Sequence, residues 1–269
     1  MSEARELIRR FTPRHIVNHA IMLICFVGLV VTGMPQKWPE QGWAKAIVLL
    51  FGGVERVRVL HHLLGTVMAL QLVWHVIEVA WISFVRRLGW PMIPTIDDVV
   101  HFYQQVKFNI GLADSPPRMG RYTFAEKLEY LALIWGTALM VGTGIVLLYP
   151  VRWSPLIGGQ AILAAKAAHG GEAILAFFSI VTWHAYFVHV RHWNTAMWHG
   201  RLEEHAYAEE HPAELELIRR GELPEKAALR AGRLVAFGIV TAGVVGVTVL
   251  TWTWLRIGVH GITTIMGRS

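Results

Sequence analysis

The chain has 269 residues, of which 54% are hydrophobic and 16% charged, and its mean hydropathy is +0.42. A soluble domain carries about 25% charged residues, so this composition excludes an ordinary soluble enzyme and a disordered chain, and the single cysteine, Cys25, excludes a disulfide framework, a Cys-based zinc site and an iron–sulfur cluster. The net charge of +6 lies between apolar runs and not on one basic face, which points to membrane topology and away from nucleic acid.

A helix crosses a hydrocarbon core of about 30 Å with about 20 residues. Five stretches qualify in chain order: 15–36, 59–77 (resuming after Glu78 to Val85), 130–151, 173–190 and 234–255. Each is apolar all round, so periodicity does not separate a core face from a lipid face. The arginines before the first span are followed by a full-length apolar run without a small-residue cleavage site, so no cleavable signal is expected. Between spans one and two, residues 38–58 hold an apolar run at 46–53 that is too short to span and is expected as an interfacial helix. Segment 86–129 reads as a long loop punctuated by Pro91, Pro94, Pro116 and Pro117, and segment 191–233 as charged, with a helical pattern over 213–220. With the N-terminus in the cytoplasm, 17 of the 25 Lys and Arg fall on cytoplasmic pieces, as the positive-inside bias requires of an inner-membrane protein. The expected fold is all-α, an integral membrane helix bundle of five transmembrane helices. Residues 1–190 form a four-helix membrane domain, 191–233 a cytoplasmic charged segment, and 234–269 the fifth helix with an outer C-terminus.

Fourteen histidines are costly in such a chain, and an ionisable group inside a span is by default a functional residue. His61 and His75 are 14 residues apart in span two, which puts them on the same side of an ideal helix about 21 Å apart along its axis. His169 and His184 are 15 residues apart, offset by about 60° and roughly 22 Å. Topology then puts His61 and His169 at an outer level, and His19, His75 and His184 at an inner one. Facing imidazoles at two depths are what two stacked bis-histidine haems require, with the macrocycle filling the bundle of the first four helices. The plainer alternative is interhelical hydrogen bonding, worth roughly 0.6–2 kcal/mol each. Small residues (Gly65, Gly136, Gly142, Gly144, Gly170, Gly171) suit close approach of a flat macrocycle and equally suit ordinary helix packing.

Several motifs resemble one family. The run R-F-T-P-R-H-I-V-N-H-A-I-M-L-I-C-F-V-G-L-V-V-T-G-M-P, the start R-V-L-H-H-L-L-G, the loop K-F-N-I-G-L, the third span E-K-L-E-Y-L-A-L-I-W-G-T-A-L-M-V-G-T-G and the fourth H-G-G-E-A-I-L-A-F-F-S-I-V-T-W-H-A-Y are similar to the membrane cytochrome b subunits of formate dehydrogenases and related quinone-linked oxidoreductases. The resemblance covers roughly residues 9–220. It implies four axial ligands of haem b iron: His19 with His184 on the cytoplasmic side, and His61 with His169 on the outer side. It selects His19 over His15 and His61 over His62. His75 departs from the family pattern. A His61/His75 and His169/His184 arrangement would instead resemble quinol–cytochrome c reductases, so His75 is an alternative or additional ligand, and His189 and His192 leave room for a third haem.

The resemblance also implies a quinone (menaquinone or ubiquinone) beside the inner haem, contacted by Asn109, Gly111 and His184. Without it, N-x-G is a simple turn. Arg14, Arg86 and Arg191 could pair with propionates or anchor at the membrane surface. Glu78 and Glu172 lie at span edges, where Glu172 could orient His169 or simply reach the interface. The expected function is electron transfer across the bilayer, between a quinone pool near the cytoplasmic face and an outer-face redox subunit. By resemblance that subunit is an iron–sulfur and molybdenum oxidoreductase or a multihaem cytochrome c. Lipid is the other partner, and no nucleic acid is expected. The rival is a histidine-based transition-metal or proton transporter, which would want carboxylates within the spans, and these have almost none.

Overall fold

The computed structural model describes residues 7–191, 193–223 and 228–266, with side chains placed up to residue 253 and that of residue 191 excepted. Five helices are long and apolar enough to cross a membrane, and the chain is a multi-pass membrane protein built as a helix bundle. They are α1 (Pro13–Lys37), α3 (Val54–Val85), α5 (Phe124–Leu148), α7 (Gly159–Val190) and α11 (Ala231–Met266). Between them lie α2 (Gly42–Leu50), α4 (Ile96–Asn109), α6 (Pro150–Ile157), α8 (Ala196–His199), α9 (Glu204–Glu210) and α10 (Pro212–Arg220). The apolar surfaces of the five spans are largely exposed, Leu250 at 68% for instance, as expected where lipid is the covering solvent.

The observed boundaries depart from the hydropathy reading in ways local chemistry explains. The fourth span starts at Gly159, fourteen residues before the expected start at 173. Its first half is rich in alanine, the strongest helix former, which a hydropathy reading discounts beside Lys166. The third span ends at Leu148 and not at 151, and residues 150–157, the last six of which were expected outside the spans, form α6, started by Pro150 at its first turn and ended at Gly158 with φ +80°. The long loop 86–129 contains α4. Thr95 and Asp98 form a capping box at its start, so a helix begins where proline spacing alone suggested none. The interfacial run is α2, a little earlier than expected. The fold also adds a two-stranded antiparallel sheet to the all-α expectation: β1 (Leu7–Arg9) pairs with β2 (Arg201–Glu203), Ile8 opposite Leu202.

By contacts the chain divides into two compact units. One comprises residues 1–26, 88–135 and 178–226. Its core is Ala196, Leu202, Tyr207 and Leu215, with Ile8 and Phe11 packed against it. A buried polar network ties the sheet to the surrounding helices. Arg10, 4% exposed, donates to Glu126 (2.8 Å) and to the Arg121 carbonyl. Arg121 donates to Glu214 (2.8 Å), Tyr207 donates to the same carboxylate (2.6 Å), and His211 Nδ1 meets the Gly120 carbonyl at 2.8 Å. Burial, then the bond to Glu214, pushes the Tyr207 phenol up to about 12. Glu126 also closes a capping box with Thr123 at the start of α5. Lys127 grips both oxygens of Asp98 at 2.9 Å and so holds α4 on α5. Burial works to raise the Asp98 carboxyl, but the bonds from Lys127 and Thr95 hold it below its ordinary range.

The other unit comprises residues 27–87, 136–177 and 227–269. Here α1 and α3 approach closely at Gly28, where an added Cβ would stand 2.5 Å from Leu64. Phe237 of α11 meets Trp81 of α3 edge-on at 5.0 Å, and Arg233 donates to the Val85 carbonyl at 3.2 Å. One of the carbonyls at the end of α3 is thereby given a partner.

Candidate haem-ligating histidine pairs

The sequence places His61 about two turns into α3 and His169 in the first half of α7, and the fold brings their rings together edge-on, 6.3 Å between centroids with planes 70° apart. His61 is half-buried. His62 is exposed, its ring beside that of His61. The Nδ1 atom of each ring in the pair is tied down. Thr32 Oγ1 lies 3.1 Å from His61 Nδ1 and Thr143 Oγ1 lies 2.9 Å from His169 Nδ1. Each threonine hydroxyl already donates one turn back along its own helix, Thr32 to the Gly28 carbonyl (2.6 Å) and Thr143 to the Leu139 carbonyl (2.7 Å). With its single proton committed, the hydroxyl can only accept, so both imidazoles must carry their proton on Nδ1. The lone pair of Nε2 is then available on each ring, the tautomer a metal ligand needs.

The glycine that follows each threonine gives the ring its room. A Cβ on Gly33 would stand 3.0 Å from His61 Cε1, and one on Gly144 would stand 3.4 Å from His169 Cε1. Glu172, one turn beyond His169, sets its Oε1 against Gly136, where a Cβ would stand 2.5 Å away.

In the other unit, His19 of α1 and His184 of α7 stand 6.4 Å apart with planes 33° apart. His184 ends a π-helical turn, Ser179–His184, followed by a second at Tyr186–Arg191. A π-turn holds more residues than an α-turn, so each residue rotates by less than 100°, and the 60° offset expected between His169 and His184 does not apply. His184 Nδ1 donates to Glu129 Oε1 at 2.6 Å, both residues being about a third exposed (31% and 29%).

The two ring separations can be tested against a shared metal. With a metal–imidazole bond of about 2 Å and a nitrogen roughly 1 Å from its ring centre, two opposed ligands have centroids about 6 Å apart. Both pairs fit a bis-histidine iron. Among the described residues no three His, Cys, Asp or Glu side chains converge on a bare metal ion.

The remaining predicted residues fall elsewhere. His75 is half-buried on α3. His189 is exposed, with its ring 5.7 Å from Trp193. His192 and the Arg191 side chain lie outside the described residues, and Arg86 lies over the Trp81 ring. Asn109 is the last residue of α4, and its Oδ1 accepts from Gln105 at 2.9 Å. Gly111 has φ +74°. The bonds Gly111 N–H to Phe108 and Leu112 N–H to Lys107 make it the left-handed cap of α4. The turn reading of N-x-G therefore has a concrete basis.

Comparison with known proteins agrees with the resemblance read from the motifs. The chain is 25% identical over 182 residues to the formate dehydrogenase cytochrome b556(fdo) subunit of Escherichia coli K12, covering 68% of this chain and 79% of that protein. What the chain is similar to is thus a membrane cytochrome b subunit. The same subunit from the O6:H1 and O157:H7 strains matches to the same extent. No family model matches. The reading from residues alone missed Thr32, Thr143 and Glu129. The signal was present in the two Thr-Gly pairs inside apolar spans, and in a carboxylate immediately before the expected third span.

Proposed function

We propose that the chain is a membrane-embedded electron-transfer subunit of a quinone-linked oxidoreductase. His61 with His169, and His19 with His184, would each ligate the iron of one b-type haem. The observation that carries this reading is the pair of ring separations, 6.3 and 6.4 Å, together with Nδ1 partners at His61, His169 and His184. When bound, haem supplies one-electron redox chemistry. Thr32 and Thr143 hold their imidazoles in the ligating tautomer, and Gly33 and Gly144 admit the rings. The apolar spans exclude water and keep the local dielectric low. Separation of His169 from His184 by 15 residues of one helix supports two sites at different depths.

The quinone would lie near Asn109 and His184. The bond from Gln105 occupies the carbonyl of Asn109 and leaves its amide nitrogen to donate to a quinone oxygen, while Gly111 shapes the turn beside it. The sequence-expected orientation, N-terminus cytoplasmic in an inner membrane, puts this site at the cytoplasmic face and the His61–His169 pair near an outer redox subunit. The cytochrome subunit name of the Escherichia coli relatives supports association with other oxidoreductase subunits. The transporter alternative has no comparable support, since no three ligating side chains converge among the described residues.

The test is a reduced-minus-oxidised visible spectrum of the purified chain with pyridine quantification of haem. Two b haems per polypeptide are expected, one in His61→Ala and one in His169→Ala, the same component being lost from both. A water-soluble quinol should reduce the remainder. A folded, colourless protein made with adequate haem supply would sink the reading.

A further inference from the structure

We infer that Glu129 separates the two histidine pairs electronically, holding the His19–His184 site at a lower reduction potential than the His61–His169 site. The inference rests on the haem reading above and deepens it. Ring separation does not distinguish the pairs, because 6.3 and 6.4 Å are equivalent. The partners of the second ring nitrogens do. At His61 and His169 the acceptor is a neutral hydroxyl whose own proton is held by a backbone carbonyl. At His184 the acceptor is a carboxylate at 2.6 Å, within the short range of charge-assisted hydrogen bonds, which are roughly twice as strong as neutral ones.

A carboxylate drawing on the Nδ1 proton leaves negative charge on the imidazole and makes Nε2 the more basic ligand. A more basic ligand favours the oxidised metal, and hydrogen bonding around the ligands is one of the protein's controls on a haem potential. Glu129 is not spent on holding its helix. The capping box at the start of α5 and the ion pair with Arg10 both use Glu126. Glu129 and His184 are each about a third exposed, so water only partly screens the carboxylate. A single electron entering the protein should therefore rest on the His61–His169 site.

The experiment is a potentiometric titration of the full-length purified chain, with near-infrared magnetic circular dichroism of the oxidised form. The charge-transfer band of a bis-histidine ferric haem moves to higher energy as a ligand gains imidazolate character. Two resolved bands are expected in the natural chain, the higher-energy one belonging to the lower-potential haem, which His19→Ala should remove. In Glu129→Gln, with two haems retained, the lower potential should rise, the bands should merge, and the upper potential should stay. In Thr143→Val the lower potential should stay. A lower potential unmoved by Glu129→Gln at full haem content overturns the inference. So does a single near-infrared band in the natural chain, and that measurement decides the matter if the variant does not assemble. Complete absence of haem from the natural chain would instead overturn the proposed function, and this inference with it.

Discussion

Threonine followed by glycine recurs at the two places where a ring of the His61–His169 pair is held: once on α1 and once on α5. The hydroxyl accepts from Nδ1, and the missing Cβ of the next residue leaves space for the Cε1 edge of the same imidazole. The two glycines differ in how much space they provide. A methyl on Gly33 would meet His61 at 3.0 Å, tighter than side chains ordinarily tolerate, whereas one on Gly144 would meet His169 at 3.4 Å, close to ordinary contact. Gly33→Ala should therefore tilt the His61 ring and lower haem retention during purification, while Gly144→Ala should keep full haem content. Haem-to-protein ratios after matched detergent washes measure the difference. Equal behaviour of the two variants would mean that ring clearance does not govern retention.

At the scale of elements, burial of charge organises the unit that contains β1 and β2. His211 is 1% exposed. Burial, and after it the Arg10 guanidinium, holds its imidazole below the usual range, against the carboxylates of Glu126 and Glu214, which work the other way. Glu210 also stands 3.8 Å from its Nε2. The folded protein thus keeps His211 neutral where an unfolded chain would take up a proton, below about pH 6.5. Its contribution to stability is present above that value and lost as pH falls from there through the lower folded-state value. Melting temperature should accordingly drop between pH 7.5 and 5. In His211→Gln, which can still donate to the Gly120 carbonyl, the drop should be shallower. None of this network was legible in the sequence, because its members come from three separate stretches (Arg10, then Arg121 with Glu126, then His211 with Glu214) and read singly as solvated charges. The five spans were legible because twenty apolar residues have few other uses. The starts of α5 and α7 were not, since capping residues and alanines score poorly as apolar yet strongly favour helix. The histidines proposed as ligands were picked out by depth and motif. Their threonine and glutamate partners depended on which helices meet, which no spacing rule supplies.

The whole molecule carries an orientation that the distribution of Lys and Arg predicts. With Cys25 (buried) replaced by serine, a cysteine introduced at Gln41 should react with an impermeant maleimide from the periplasmic side of intact cells. One introduced at Ser115 should react only after the cells are opened. The reverse pattern would invert the topology, and with it the side on which a quinone is met. The pairing of Leu7–Arg9 with Arg201–Glu203 bears on how such a chain is made. Synthesis proceeds from the N-terminus, so β1 leaves the ribosome long before its partner strand exists, and four spans must enter the bilayer in between. Glu126 becomes available to Arg10 after only two spans, but the sheet edge has nothing to pair with until residues 201–203 emerge. Residues 7–12 must wait at the membrane surface as an unfinished clasp, and its fastening marks the moment at which the nascent chain has delivered everything through Glu214.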